Sequence, residues 1–308
     1  MADFMRKTVA MQRAIAIFGP TASGKSALAL SFAEAVGGEI VACDAQMVYR
    51  GFDVGTNKPS ADEQARVPHH MLDVCAANDE MQAARYGDAA LAVVAALNAR
   101  GKVPVIVVGT YLYYRALVHG LGPLPKSDPA VREEIVRMGP DAIAEEVRRL
   151  DPESYEEAKG KNLPRLVRAL EVFRITGQKA SALKKEHAFA EKRLDVAGVA
   201  LRPDRDALKQ RIDARVLAMW SNGWRDEVRS LLAAGVREDA RAMQAVGYRD
   251  IAEHLRTGES EAAVIAKIQA ATRQYARRQL SFMRQESSAE VFAGFGEEAI
   301  RAGIARRR

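Results

Sequence analysis

Two cysteines in 308 residues are too few for a disulfide framework, and the spacing of Cys43 and Cys75 suits no zinc site. No window approaches the ~20 apolar residues of a membrane span. The N-terminal segment MADFMRKTVAMQR holds no sustained apolar region, so no secretory signal is expected. Internal repeats and low-complexity tracts are lacking as well. These absences argue against a secreted disulfide scaffold, a membrane protein or a repeat array, and they predict a cytoplasmic chain. What is present is 48% hydrophobic and 28% charged, the balance of a globular protein with a sizeable core in one or two domains. The net charge of +6 permits a polyanionic partner such as nucleic acid without requiring one.

The stretch GPTASGKSALAL, residues 19 to 30, follows the apolar run AIAIF and precedes a helical pattern. Gly19, Gly24, Lys25 and Ser26 meet the spacing G-x-x-x-x-G-K-[ST], in the strand, loop, helix context that the motif requires. Ala14 to Phe18 read as a buried parallel strand, and Leu28, Phe32 and Val36 share one face of the helix that follows. The glycines permit backbone angles closed to other residues and let amides approach a ligand. Successive N–H groups then form an anion nest at a helix N-terminus. Lys25 adds a point charge, and the Ser26 hydroxyl can ligate Mg²⁺. The motif identifies a phosphate or pyrophosphate site, not a reaction.

A second strand, EIVACD, ends at Asp44, and a third run, VPVIVV, leads to Gly109 and Thr110. Between them RYGDAALAVVAALNARG reads as a crossover helix closed by Gly101. Alternating strands and helices predict a parallel sheet with helices on both faces. Ligands on such sheets sit at the carboxyl ends of the strands, where Gly19, Asp44 and Thr110 all fall. After the linker PLPKSD, residues 129 to about 190 are highly charged, helical in period and without a strand pattern. DVAGVAL returns to the sheet, residues from Asp204 to about Glu286 are helical, and EVFAG is a closing strand. The expected fold class is α/β: a P-loop core split between 1–122 and 199–308, with an all-helical insertion at 123–198.

Asp44 can ligate a metal or take a proton from a nucleophile near the phosphate, against the plainer reading of a loop carboxylate. His69 and His70 are adjacent and point different ways, which argues against a joint metal site. Cys43 reads as a buried apolar residue. Tyr111, Tyr113 and Tyr114 line a pocket or pack a helix start. Arg273, Arg277 and Arg284 recur close to one helical face and either line a channel or meet solvent.

DAQMVYRGFDVGTNKP after a GPTASGKS loop resembles the signature of the tRNA dimethylallyltransferases, the tRNA isopentenyltransferase family. VPHHMLD, VGTYLYYRAL, PRLVRALEVFRITG, RIDARVLAMWSNGWRDEV, MQAVGYRDI and TRQYARRQLSFMR follow in the family's order along nearly the whole chain. The resemblance implies transfer of a dimethylallyl group from its diphosphate to the exocyclic amine of the adenine 3′ to the anticodon, with Mg²⁺. It implies Asp44 as general base and Thr110 near the reacting centre. Gly19, Thr21, Ala22, Ser23, Gly24, Lys25 and Ser26 would hold the diphosphate, with Ser26 beside the metal. Gln46 would read the target base, which must be flipped from its stack. Arg132, Arg165 and Arg168 of the insertion, and Gln244, Gly247, Tyr248 and Arg249, would contact tRNA. Ala45 stands where the family has serine, and KGKNLPR lacks an acidic residue often found before that proline. The chain is expected to be the bacterial type, monomeric, without a C-terminal zinc finger. The rivals are a P-loop small-molecule kinase, with ATP in the loop, and a non-catalytic RNA binder with a relic loop.

Overall fold

The computed structural model describes residues 11–121, 124–186, 192–284, 286 and 289–303. Six strands form one sheet: β1 (Gln12–Phe18), β2 (Glu39–Cys43), β3 (His69–His70), β4 (Pro104–Val108), β5 (Leu194–Leu201) and β6 (Ala289–Phe292). Their order is β3-β2-β4-β1-β5-β6, and every neighbouring pair is parallel. Strands buried on both faces carry continuous apolar runs, as in IVAC after Glu39 and in PVIVV. Successive β1 residues feed opposite faces. Ala14, Ala16 and Phe18 pack toward Tyr86, Val94 and Leu97 of the helix Ala83–Ala99. Ile17 packs toward Leu28 and Ala33 of the helix Lys25–Val36. The two-residue β3 is too short to show a period, and it escapes a reading by periodicity.

The chain divides into two compact units, Met1–Val118 with Arg193–Arg308, and His119–Lys192. The expected return to the core at residue 199 therefore falls too late. β5 pairs with β1 along its length, from Gln12 opposite Leu194 to Phe18 opposite Ala200, so the whole DVAGVAL stretch belongs to the sheet.

Among its described residues the inserted unit holds helices and no strand. The helices Pro129–Arg137, Pro140–Leu150, Pro152–Glu157 and Leu163–Thr176 each carry proline in the first turn, where its missing N–H costs nothing. Ile135, Ile143, Val147, Leu166 and Leu170 form its core. Glu171 is buried among them. Its carboxylate accepts hydrogen bonds from the Ser127 hydroxyl, the Asp128 amide (3.0 Å) and Arg168 Nη1 (2.7 Å), and Arg132 stands 3.7 Å away. Burial alone would raise its pKa, but the bonds from Ser127 and Arg168 outweigh that and hold it below the ordinary range.

Candidate active site

The order β2-β4-β1 sets three loops side by side at the carboxyl edge of the sheet. They deliver Lys25 and Ser26, Asp44 and Gln46, and Gly109 and Thr110 to one cleft. The helices Arg205–Ser221 and Glu261–Met283 complete its wall with Arg215, Thr272, Tyr275, Arg278 and Gln279.

Asp44 leaves β2 in a tight turn that its own side chain closes. Oδ1 accepts from the amides of Gln46 (2.8 Å) and Met47 (3.4 Å). The carboxylate lies flat against Gly109, where a Cβ would come within 2.1 Å of Oδ2. Thr110 is fixed by its amide, which donates to the Cys43 carbonyl at 2.9 Å, and by Oγ1, which accepts from the Ala45 amide at 2.9 Å. The Gly109 carbonyl accepts from Gln279 Nε2 (2.8 Å) and from the Tyr275 hydroxyl (3.1 Å). Gln279 Oε1 in turn accepts from the Thr21 amide at 2.8 Å. One buried glutamine thus ties the phosphate loop to the β4 loop. Sequence reasoning gave Gln279 and Tyr275 no role. The signal was available: Thr272, Tyr275 and Gln279 lie at i, i+3 and i+7, one helical face.

The phosphate loop departs from the expectation in detail. Thr21 lines the cleft, but its amide is committed to Gln279. The Ser23 side chain is buried without a hydrogen-bond partner, and its amide donates to the Pro20 carbonyl at 3.2 Å. Ser23 presses on Gly19, where a Cβ would meet its Oγ at 2.3 Å, so the close approach leaves no room for a side chain at Gly19. Ala22 and Gly24 both take left-handed angles, φ 63° and 83°. The amides of Lys25 and Ser26 open the helix and have no acceptor within it.

The cleft is cationic. Burial pushes the Lys25 ammonium down to about 8, and the nearby Arg215 charge adds to that, while Asp44 opposes it. Burial also lowers Arg215, again with Asp44 opposing. Two crowded cations beside the free amides of a helix start favour a bound anion. Arg215 was missing from the sequence reading because nothing in RIDARV marks one arginine over another. Gln46 brings the opposite polarity: its Oε1 is buried without a partner on the cleft wall. A buried acceptor left unpaired costs about 1–3 kcal/mol, and an incoming N–H would satisfy it. For Mg²⁺, the Ser26 hydroxyl at the cleft fits a cation that takes few protein ligands and shares phosphate oxygens. Among the described residues no group of three or more His, Cys, Asp or Glu could hold a metal alone.

The residues expected to meet tRNA separate. Gln244 lines the cleft and Arg249 is exposed. Tyr248 is buried and its hydroxyl donates to Glu227 at 2.6 Å, so it offers no face for stacking a base. Gly247 is packed on Trp224, where a Cβ would meet the ring at 2.4 Å. In the inserted unit Arg165 is exposed. Arg168 and Arg132 both turn toward Glu171, so these two carry a structural duty. Of the further arginines, Arg273 pairs with Asp213 and Arg277 is exposed away from the cleft, whose wall takes Arg278 instead.

The two histidines do diverge. His69 Nδ1 meets the Val67 carbonyl at 2.7 Å and the residue borders the cleft, while His70 pairs with Glu39. Tyr113 and Tyr114 are packing residues: Tyr113 stacks on Tyr86, and Tyr114 meets Phe18 edge-on. Burial raises the Cys43 thiol, in keeping with an inert apolar role.

The chain is 45% identical over 278 residues to a tRNA dimethylallyltransferase of Anaeromyxobacter dehalogenans, covering 89% of this chain and 90% of that one. It is 29% identical to the crystal structure of the full-length tRNA isopentenylpyrophosphate transferase from Bacillus halodurans, with TM-score 0.69 and 95% of each chain covered. A eukaryotic dimethylallyltransferase acting on tRNA shares the fold at TM-score 0.81 and 23% identity, over 95% of this chain and 78% of that one. Residues 47–286 match the model of the IPP transferases. With the P-loop, Asp44, Thr110 and a cationic cleft set out as described, the chain belongs to the IPP transferase family.

Proposed function

We propose that this enzyme moves a dimethylallyl group from dimethylallyl diphosphate to the exocyclic amine of the adenine 3′ to the anticodon in tRNA, releasing diphosphate. The observation that carries the reading is one cleft holding an anion-binding end, Lys25 and Arg215, beside a carboxylate with an oxygen to spare, Asp44. The allylic C–O bond breaks and its electron pair leaves with the diphosphate. Lys25, Arg215 and the helix-start amides stabilise the charge that grows there. The amine nitrogen bonds to the allylic carbon, and its proton passes to Asp44. Because Oδ1 is engaged by two backbone amides, Oδ2 is the oxygen that accepts it. The buried Gln46 Oε1 takes the second hydrogen of the same amine. Thr110, held by Ala45, keeps the two loops in register and lines the cleft beside the reacting groups. Ser26 would hold Mg²⁺, which when bound neutralises part of the diphosphate charge.

The inserted unit and its exposed Arg165 grip the tRNA backbone through charge, and the chain acts as a monomer in the cytoplasm. No described helix is long and apolar enough to cross a membrane. The family match disfavours the kinase alternative. The test is incubation of the chain with dimethylallyl diphosphate, Mg²⁺ and unmodified tRNA, followed by mass analysis of the nucleosides. One adenosine heavier by a dimethylallyl group, with ATP not required, is the expected result. Unchanged tRNA with ATP consumed would return the chain to the kinase reading.

A further inference from the structure

Two loops on the cleft wall are held by one short helix, Trp224–Ala233. The first loop runs through Asp53, Val54 and Gly55, and the second leads through Ala245 and Val246 to Tyr248; Gly55, Ala245 and Val246 line the cleft. Glu227 of the helix joins them. Its Oε2 accepts from the amides of Asp53 (2.8 Å) and Val54 (2.6 Å). Its Oε1 accepts from the Gly55 amide (3.2 Å) and the Tyr248 hydroxyl (2.6 Å). Four donors meet one carboxylate, which saturates its acceptor capacity. Burial and the Glu227 charge push the Tyr248 phenol well up, so it stays protonated and donates.

Trp224, one turn earlier, makes the same connection by packing. It is buried, and a Cβ at Gly55 would come within 2.0 Å of its Nε1, one at Gly247 within 2.4 Å of its Cη2. Both glycines are therefore required by the indole between the loops. The far side of the first loop is fixed separately by Lys58, which is almost wholly buried and pairs with Asp53 and Asp73. The first loop is thus clamped from both ends, and the second is registered to it through the helix that carries Glu227 and through the Tyr248 ring, which packs on Phe52 with centroids 4.8 Å apart and lies against Gly55.

We infer that Glu227 is a positioning residue for the transfer reaction: with Trp224 it sets the spacing of the two loops between which the acceptor base must fit. The inference rests on the proposed function. It assigns the clamp to the acceptor side of the cleft, since the diphosphate side is fixed independently through Gln279 and Thr21.

The test uses Glu227→Gln, which keeps size and shape but offers one acceptor oxygen and turns an NH₂ group toward donors. The background is Trp220→Phe, which leaves Trp224 as the single tryptophan, since the chain has two. Three quantities are read: single-turnover transfer at saturating tRNA, inhibition by inorganic pyrophosphate, and Trp224 emission. Displacing a reacting group by about 1 Å costs up to ~10²-fold, so transfer should slow by ~10–100-fold. Pyrophosphate inhibition should stay within about two-fold of the parent, and emission should move to the red as the loops part around the indole. Asp226→Asn, on the same helix at an exposed position, should change none of the three. A parental rate in Glu227→Gln, or an equal loss of pyrophosphate binding, would overturn the inference. If the parent itself does not prenylate tRNA, the proposed function fails, while unmoved emission with intact pyrophosphate binding would sink the clamp on its own.

Discussion

At the scale of single residues, Asp44 has two duties, and a substitution can separate them. Asn in its place keeps an oxygen for the Gln46 and Met47 amides but cannot take the proton. Asp44→Asn should melt like the parent and lose ~10²–10⁴-fold in turnover; near-normal turnover would remove the general-base role. Gly109→Ala attacks the same group by contact, because the new Cβ falls 2.1 Å from Oδ2. Its turnover should fall by up to ~10²-fold with pyrophosphate inhibition retained. Lys25 carries a pH signature. With its ammonium pushed down to about 8 from an ordinary 10.5, the folded chain loses this proton before the unfolded chain does. Between those values the unfolded state binds more protons, so the Lys25 contribution to stability rises with pH, and its cost is fully present below about 8. Pyrophosphate binding has the opposite trend, weakening as the charge is lost. Comparing denaturant melts and pyrophosphate inhibition of the parent and Lys25→Met across this range should show both trends in the parent only.

At the scale of elements, the long helix Glu261–Met283 works by spanning two loops with one side chain. Gln279→Leu leaves the Thr21 amide and one bond to the Gly109 carbonyl unmade. Roughly 2 kcal/mol of stability should go, and pyrophosphate inhibition should weaken together with transfer. This is the opposite of the pattern expected for Glu227→Gln. In the inserted unit, Arg168→Ala takes a charged partner from the buried Glu171, so thermal melting should show a loss of roughly 2 kcal/mol. An unshifted melt would free Arg168 for a role toward tRNA. The elements also show what was legible in the sequence. Strand, loop and helix around Lys25 were readable because apolar runs and glycine spacing are local signals. The carboxyl-edge convergence of Asp44 and Thr110 followed from parallel topology. What stayed hidden depends on distant pairing. Nothing in MQAVGYRDI says that the Tyr248 hydroxyl faces inward to Glu227, and nothing in LPRLVRALE says that Glu171 is buried against Ser127 and Asp128.

At the scale of the whole molecule, 46 Lys and Arg set against 40 Asp and Glu leave a net charge of +6, and many of the arginines are already paired with carboxylates. Phosphate grip must then come from exposed side chains such as Arg165. Arg165→Ala should flatten the plot of log tRNA affinity against log salt by ~0.7–0.9 and leave the single-turnover rate at saturating tRNA unchanged. An unaltered slope would move the grip to another surface. The sheet order has a consequence for synthesis. β1 receives β4 on one side by residue 108, but its other side waits for β5, which begins at residue 194. At ~5–20 residues per second, the strand that carries the phosphate loop spends on the order of ten seconds with a bare parallel edge on the ribosome. The inserted helices, whose contacts are local, can form during that interval, and a pause or a chaperone acting within it would govern the yield of folded enzyme more than any change in final stability.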